Sequence, residues 1–204
     1  MTRASLLALA LAAATPLGAQ EPTAPRADLR TELERLGRED QAGREGIAAA
    51  AAANDTLFLK RMMAGDSART ARLREIVAAH GWPGRALVGE EGARAAWLIL
   101  QHGDDTAFQE AMLPRLWDAA AAGDVSRADV AMLTDRVLVR RGEPQRYGSS
   151  FSMLDGRLVA DPIGDLSGLE ARRAEVGLPP MAEYVAMMRK MYGVPVIWPE
   201  DSRP

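Results

Sequence analysis

Cysteine is absent from the 204 residues, so neither disulfides nor thiolate chemistry is available and the fold must hold by core packing. Histidine is scarce, with His80 and His102 the whole supply. No HExxH, His-x-His, P-loop, Gly-x-Ser-x-Gly or dinucleotide fingerprint occurs, which excludes an ordinary zinc site and the familiar nucleophile and phosphate-loop enzymes. Lysine is nearly missing too. The 25 basic residues are almost all scattered arginines and are outnumbered by 28 acidic ones, so the net charge is −3 and no electrostatic surplus exists for nucleic acid. Aromatics are 5% of the chain, and the one long apolar run, SLLALALAAA over residues 5–14, is too short to span a bilayer.

That run has the length and setting of a secretory leader. Arg3 precedes it, Thr15-Pro16 breaks it, and Leu17-Gly18-Ala19 offers a small residue at the cut, so residues 1–19 are expected to be a signal peptide removed by signal peptidase. The mature protein is then periplasmic or secreted, with no transmembrane anchor. A lipoprotein would need a cysteine at the new N-terminus.

Residues 20–26, with Pro22 and Pro25, read as a flexible lead-in. From 27 to 193 the pattern is that of a single, mainly α domain, an irregular bundle of about six or seven helices with one small β-hairpin. Leu29, Leu33 and Leu36 mark a first amphipathic helix. Asp66 or Ser67 is placed to cap a helix running to His80, closed by Gly81. Residues 90–102 (EEGARAAWLILQH) are apolar in nearly every direction and predict a central buried helix. Asp105 or Thr106 opens the next helix, where Thr106 to Gln109 fits a capping box and which Pro114 should kink or end. A helix over 127–140 turns Val130, Leu133, Val137 and Leu138 inward. The Asp155-Gly156 pair predicts a type I′ hairpin between 151–154 and 157–160. Short helices over about 169–176 and 180–192 follow, the second with Met181, Met187, Met188 and Met191 at helical spacing, which reads as adaptable core. Residues 194–204 form a proline-broken tail that could pack through Ile197 and Trp198.

Polar residues inside apolar surroundings are the candidates for chemistry. His80 and His102 each end a helix before a glycine, where imidazole can satisfy orphan carbonyls. His102 follows Gln101 at the end of the most apolar helix, so two polar side chains arrive near the core and need partners there. Asp135 and Arg136 interrupt VAMLTDRVLV and border its buried stripe, as interhelical ion-pair staples or as a site. Beyond Gly142, Gln145 and Tyr147 present an amide and a phenol beside Gly148.

The blocks HGWPGRALVGEEGARAAWLILQHGDD, LTDRVLVRRGEPQRYGSSF and RRAEVGLPPMAEYV resemble a widespread bacterial family known only as a domain of unknown function. Its members show HGWP, LVG, AAWL, QHxD, LTDR and a GxPQxYG-type segment in this order. Where members often read Tyr-Gly-Thr-Gln, this chain has Tyr147-Gly148-Ser149-Ser150, keeping a hydroxyl and losing an amide. The resemblance implies no reaction, cofactor or substrate. It does draw Trp82, Gln101, His102, Asp104, Asp135, Arg136, Gln145 and Tyr147 into shared motifs.

Two function classes remain open. In the first, a small molecule or peptide occupies a pocket at the C-terminal end of the central helix. His102 is then the general acid or base, Asp135 or Asp104 its orienter and Tyr147 a proton donor, with Trp82, Gln101, Asp104, Arg136 and Gln145 binding ligand. In the second, a non-catalytic interaction or structural module uses the same residues as a buried polar network. No residue set indicates a metal, and no cofactor is indicated.

Overall fold

The structure is a computed structural model that describes residues 26–53 and 55–199. The expected signal peptide, nearly all of the lead-in and the last residues of the tail lie outside these.

The described chain is mainly helical. Its elements run α1 (Ala27–Ala42), α2 (Ile47–Ala52), α3 (Thr56–His80), α4 (Arg85–His102), α5 (Thr106–Ala121), α6 (Arg127–Arg140), β1 (Phe151–Leu154), β2 (Arg157–Ala160), α7 (Leu169–Val176), α8 (Met181–Tyr192) and β3 (Val196–Ile197). Among the described residues no helix is long and apolar enough to cross a membrane.

Helix α4 is the centre of the first core. Leu87, Val88, Ala93, Ala95, Ala96, Ile99 and Leu100 are buried on it, against leucines of α1, Leu73 and Ile76 of α3, and Phe108, Met112 and Leu133 of α5 and α6. The axes of α1 and α4 approach closely because both are small at the crossing. A Cβ placed on Gly37 would lie 2.7 Å from the Cβ of Ala95. Gly89 breaks the helical path inside α4 with φ of 72°, a conformation that costs a residue with a Cβ.

Three local expectations are corrected. α3 begins eleven residues before Ser67, at Thr56, capped by Asp55, whose carboxylate accepts from the Phe58 amide, so Asp66 is buried mid-helix and is not a cap. Of the two openings expected for α5, Asp105 is the cap, accepting from Phe108 N at 2.9 Å. No Thr106 capping box forms: the Gln109 side chain instead donates to the carbonyls of Leu100 and Gly103. Pro114 does not end α5, which continues to Ala121.

A second core lies under the sheet. β1 and β2 pair antiparallel around Asp155 (φ 48°) and Gly156 (φ 74°), as a type I′ turn requires. The hairpin gains a third strand from the tail: Val196 and Ile197 pair parallel to Leu158 and Val159, with Val196 and Trp198 buried. Leu169, Met181, Tyr184, Val185 and Met188 complete this core. The methionines of α8 divide, with Met181 and Met188 buried and Met187 and Met191 exposed, so they do not make one inward stripe.

Candidate functional site

The apolar stripe of α1 runs Leu29, Leu33, Leu36 and then Asp40, all buried. In the same way Asp66 and Thr70 continue the stripe of Leu73 and Val77 on α3. Each helix therefore carries one carboxylate into the interior where the C-terminal end of α4 arrives. A buried carboxylate must be paired and hydrogen-bonded to persist, and here the partners are His102, Arg44 and Arg69.

Asp40 is fully buried, and its Oδ2 lies 2.8 Å from Nδ1 of His102. Arg44, one turn on from Asp40, reaches Oδ1 of Asp40 at 3.1 Å and Oδ1 of Asp66 at 2.8 Å through Nη2. Arg69 Nη2 meets Asp66 at 2.7 Å and Asp40 at 3.7 Å. Burial alone pushes the Asp40 carboxyl up, but hydrogen bonds from His102 and Arg44, and their charges, outweigh it and hold it down at about 2.

Nδ1 of His102 has a second neighbour, Nε of Arg44 at 3.0 Å. One ring nitrogen cannot both donate to Asp40 and accept from Arg44. A carboxylate only accepts, and an unprotonated nitrogen 2.8 Å from it would be repelled, so the proton sits on Nδ1 and points at Asp40. Nε2 then carries the lone pair of the neutral ring. The imidazole is 23% exposed. With Nδ1 held by Asp40, Nε2 is the ring atom left to exchange a proton with a bound group.

Beside this pair lies Gln101, buried. With its amide oxygen turned toward α6, it accepts from Arg136 Nε at 3.0 Å and Nη2 at 3.3 Å. Arg140, one turn further, donates through Nη1 to Gly103 O at 3.1 Å and Gln109 Oε1 at 2.9 Å. The end of α4 is thus ringed by guanidinium groups from the turn after α1, from α3 and from α6.

The structure joins Gln101 to Arg136, with His102 next to Gln101 at the end of α4, and uses other expected residues elsewhere. Asp135 does not orient His102: the orienter is Asp40. Fully buried, Asp135 accepts from the amides of Arg146 (2.7 Å), Tyr147 (2.9 Å) and Ser149 (2.9 Å) and from Ser149 Oγ (2.8 Å). It is not an interhelical ion-pair staple either, since its partners are the loop backbone and a hydroxyl. Arg173, also fully buried, takes carbonyls of the same region, Tyr147 O and, at 2.8 Å, Pro179 O. One helix therefore grips the loop by its N–H groups and another by a C=O. Gln145 is fully buried as well, donating to Ser150 O and Asp161 O and accepting from Ser150 N. Its amide pins the base of the hairpin.

Tyr147 is buried, and burial pushes its phenol up. It lines a cavity of about 230 Å³ with Trp117, Thr134 and Glu175. Trp82 borders a different one, of about 220 Å³, with Trp97, Asp124 and Asp129. Asp104 is exposed and accepts from Ser67 Oγ at 3.2 Å, leaving the capping of α5 to Asp105. Among the described residues no three His, Asp or Glu side chains converge to hold a metal ion.

Sequence reasoning missed Asp40, Arg44, Asp66, Arg69 and Arg173. The spacing 29, 33, 36, 40 was the available signal for Asp40, and 66, 70, 73, 77 that for Asp66, since a carboxylate in register with a buried stripe is itself buried.

The described architecture is that of a mainly helical domain with a small three-stranded sheet. The chain belongs to DUF6624, a family of unknown function, which it matches over residues 27–197. No curated protein and no solved structure matches it.

Proposed function

We propose that this chain is an exported protein that binds a small molecule at the C-terminal end of α4 and transfers a proton through His102, in a hydrolysis or isomerisation without a covalent enzyme intermediate. One observation carries the reading: the 2.8 Å contact between Nδ1 of His102 and the fully buried Asp40, which presents Nε2 as the working face of a part-exposed ring. Asp40 orients the ring and opposes the charge it acquires, and Gln101 and Arg136 stand beside it to position ligand. Export rests on the leader-like residues 1–19. Mass spectrometry of the protein recovered from a periplasmic fraction should find Gln20 as its first residue.

The acid–base reading is tested with chromogenic carboxyl and phosphate esters on the wild type and His102→Gln, each checked by circular dichroism. Turnover by the wild type, lost in a variant that keeps its helical signal, supports it. Equal rates in the two proteins, or none in either, overturn the hydrolytic form.

A second reading, a non-catalytic interaction module, is favoured by the exposed apolar side chains of Met187, Met191 and Tyr192 on α8. It requires that His102→Gln leave the protein's behaviour unchanged while Met191→Glu abolishes association.

A further inference from the structure

Arg136 is a half-buried guanidinium that makes no ion pair among the described residues. Its Nε and one Nη2 proton are directed at the Gln101 amide oxygen, a neutral acceptor. Arg44 and Arg69 are paired with Asp40 and Asp66, whereas Arg140, like Arg136, meets neutral acceptors, here Gly103 O and Gln109 Oε1. A charge taken partly out of water without a counter-charge is costly, and a neutral amide does not repay it. Gln101 nevertheless fixes the plane of the guanidinium. The edge made by Nη1 and the remaining Nη2 proton is left as a two-pronged donor.

We propose that Arg136, held by Gln101 and flanked by Arg140 and Arg44, is the binding site for an oxyanion of the ligand, a carboxylate or a phosphate that accepts both protons of that edge. Burial first, and then the like charges of Arg140 and Arg44, lowers the affinity of Arg136 for its proton to about 10, the direction expected of a cation short of a counter-ion. An incoming oxyanion supplies it. The ligand is accordingly an anion that also presents a proton-transfer centre to His102. Its location beside the reacting atoms rests on the acid–base reading above, whereas its charge rests on Arg136 alone.

The test titrates the full chain with inorganic phosphate and, separately, with acetate, at ionic strength matched by sodium chloride, following the backbone amide resonances of Gln101, His102 and Gly103 by NMR. Saturable movement with one of the two anions is expected, and which one responds distinguishes phosphate from carboxylate. Arg136→Gln should weaken that binding by roughly tenfold or more, as loss of a charged two-point contact does. Arg136→Lys, which keeps charge but not the fork, should fall between. Arg141→Gln, removing an exposed arginine paired with Glu110 and Glu143, should change nothing. Absence of saturation with either anion, or equal affinity in the wild type and Arg136→Gln, overturns the proposal. His102→Gln separates the two readings: anion binding that persists while ester turnover is lost supports both, and ester turnover without anion binding removes this one alone.

Discussion

His102 Nδ1 and Asp40 Oδ2 meet at 2.8 Å although 62 positions separate them in the chain. The contact joins the end of α4 to the end of α1, and it exists because α1 and α4 cross with glycine and alanine at the interface. Gly37 and Ala95 let the helices approach until the last turns of both bring their polar residues together. Orientation of the one part-buried imidazole is thus a consequence of helix packing.

Removing Asp40 should be expensive. Asp40→Ala leaves His102 without its acceptor and Arg44 with only Asp66, and a broken buried pair of this type costs about 3 kcal/mol or more. His102→Gln, on a side chain with access to solvent, should cost about 1 kcal/mol. Urea unfolding of the two variants checks this order, and a larger loss for His102→Gln would contradict it.

Acid should erase part of that stability in a defined window. The folded carboxyl of Asp40 ionises at about 2, against roughly 4 for an unfolded aspartate. As pH falls the unfolded chain binds this proton first, so the contribution is complete above about pH 5 and is lost as pH drops through about 2. Its size is about 2.6 kcal/mol at roughly 1.4 kcal/mol per unit. The stability gap between the wild type and Asp40→Asn should therefore narrow between about pH 5 and about pH 2. A gap that is constant with pH would show that Asp40 is not the titrating group.

Asp135 should act on the loop and not on His102. Asp135→Ala strands the amides of Arg146, Tyr147 and Ser149, for an expected loss of about 4 kcal/mol. Ser149→Ala removes one hydroxyl bond and should cost about 1 kcal/mol. Hydrogen exchange at Tyr147 and Ser149 should accelerate in Asp135→Asn while the His102 ring resonances stay in place. Movement of those resonances would join the two residues in one site after all.

The α1–α4 crossing predicts its own mutant. Gly37→Ala sets two Cβ atoms 2.7 Å apart, and the overpacking should cost about 1 to 3 kcal/mol, partly offset by the better helix propensity of alanine. Ala95→Gly in the same chain should recover most of the loss in a thermal melt. Simple additivity of the two changes would show that the helices do not press on each other there.

Much of the fold was legible because it is written in local periodicity. The leucines of α1 bury the face their spacing indicates, α4 and α6 do so except at the half-buried Trp97, Leu98 and Leu138, and Asp155-Gly156 takes the positive φ pair that closes the hairpin. Boundaries failed where a polar residue had two possible uses. Asp66 has the chemistry of a cap, but Asp55 supplies the cap, and Arg44 and Arg69 give Asp66 its reason to be buried. The tail resembled a proline-broken end, yet Val196 and Ile197 find the open edge of β2, a pairing no local pattern encodes.

The candidate site was half legible. That His102 and Gln101 arrive in the interior followed from the apolar helix that carries them, and that Arg136 borders a buried stripe followed from its place on α6. Which acid faces the imidazole did not. Asp104 and Asp135 are nearer to His102 in sequence, but Asp104 is exposed and Asp135 is occupied by the amides of the 146–149 loop. The choice of Asp40 was made by the crossing of α1 over α4. The sequence by itself determined the helices, the hairpin turn and which polar residues would be carried inside, because periodicity and turn chemistry are local. Only the tertiary structure decided who meets whom, because a buried charge takes as its partner whichever group the packing of distant helices delivers.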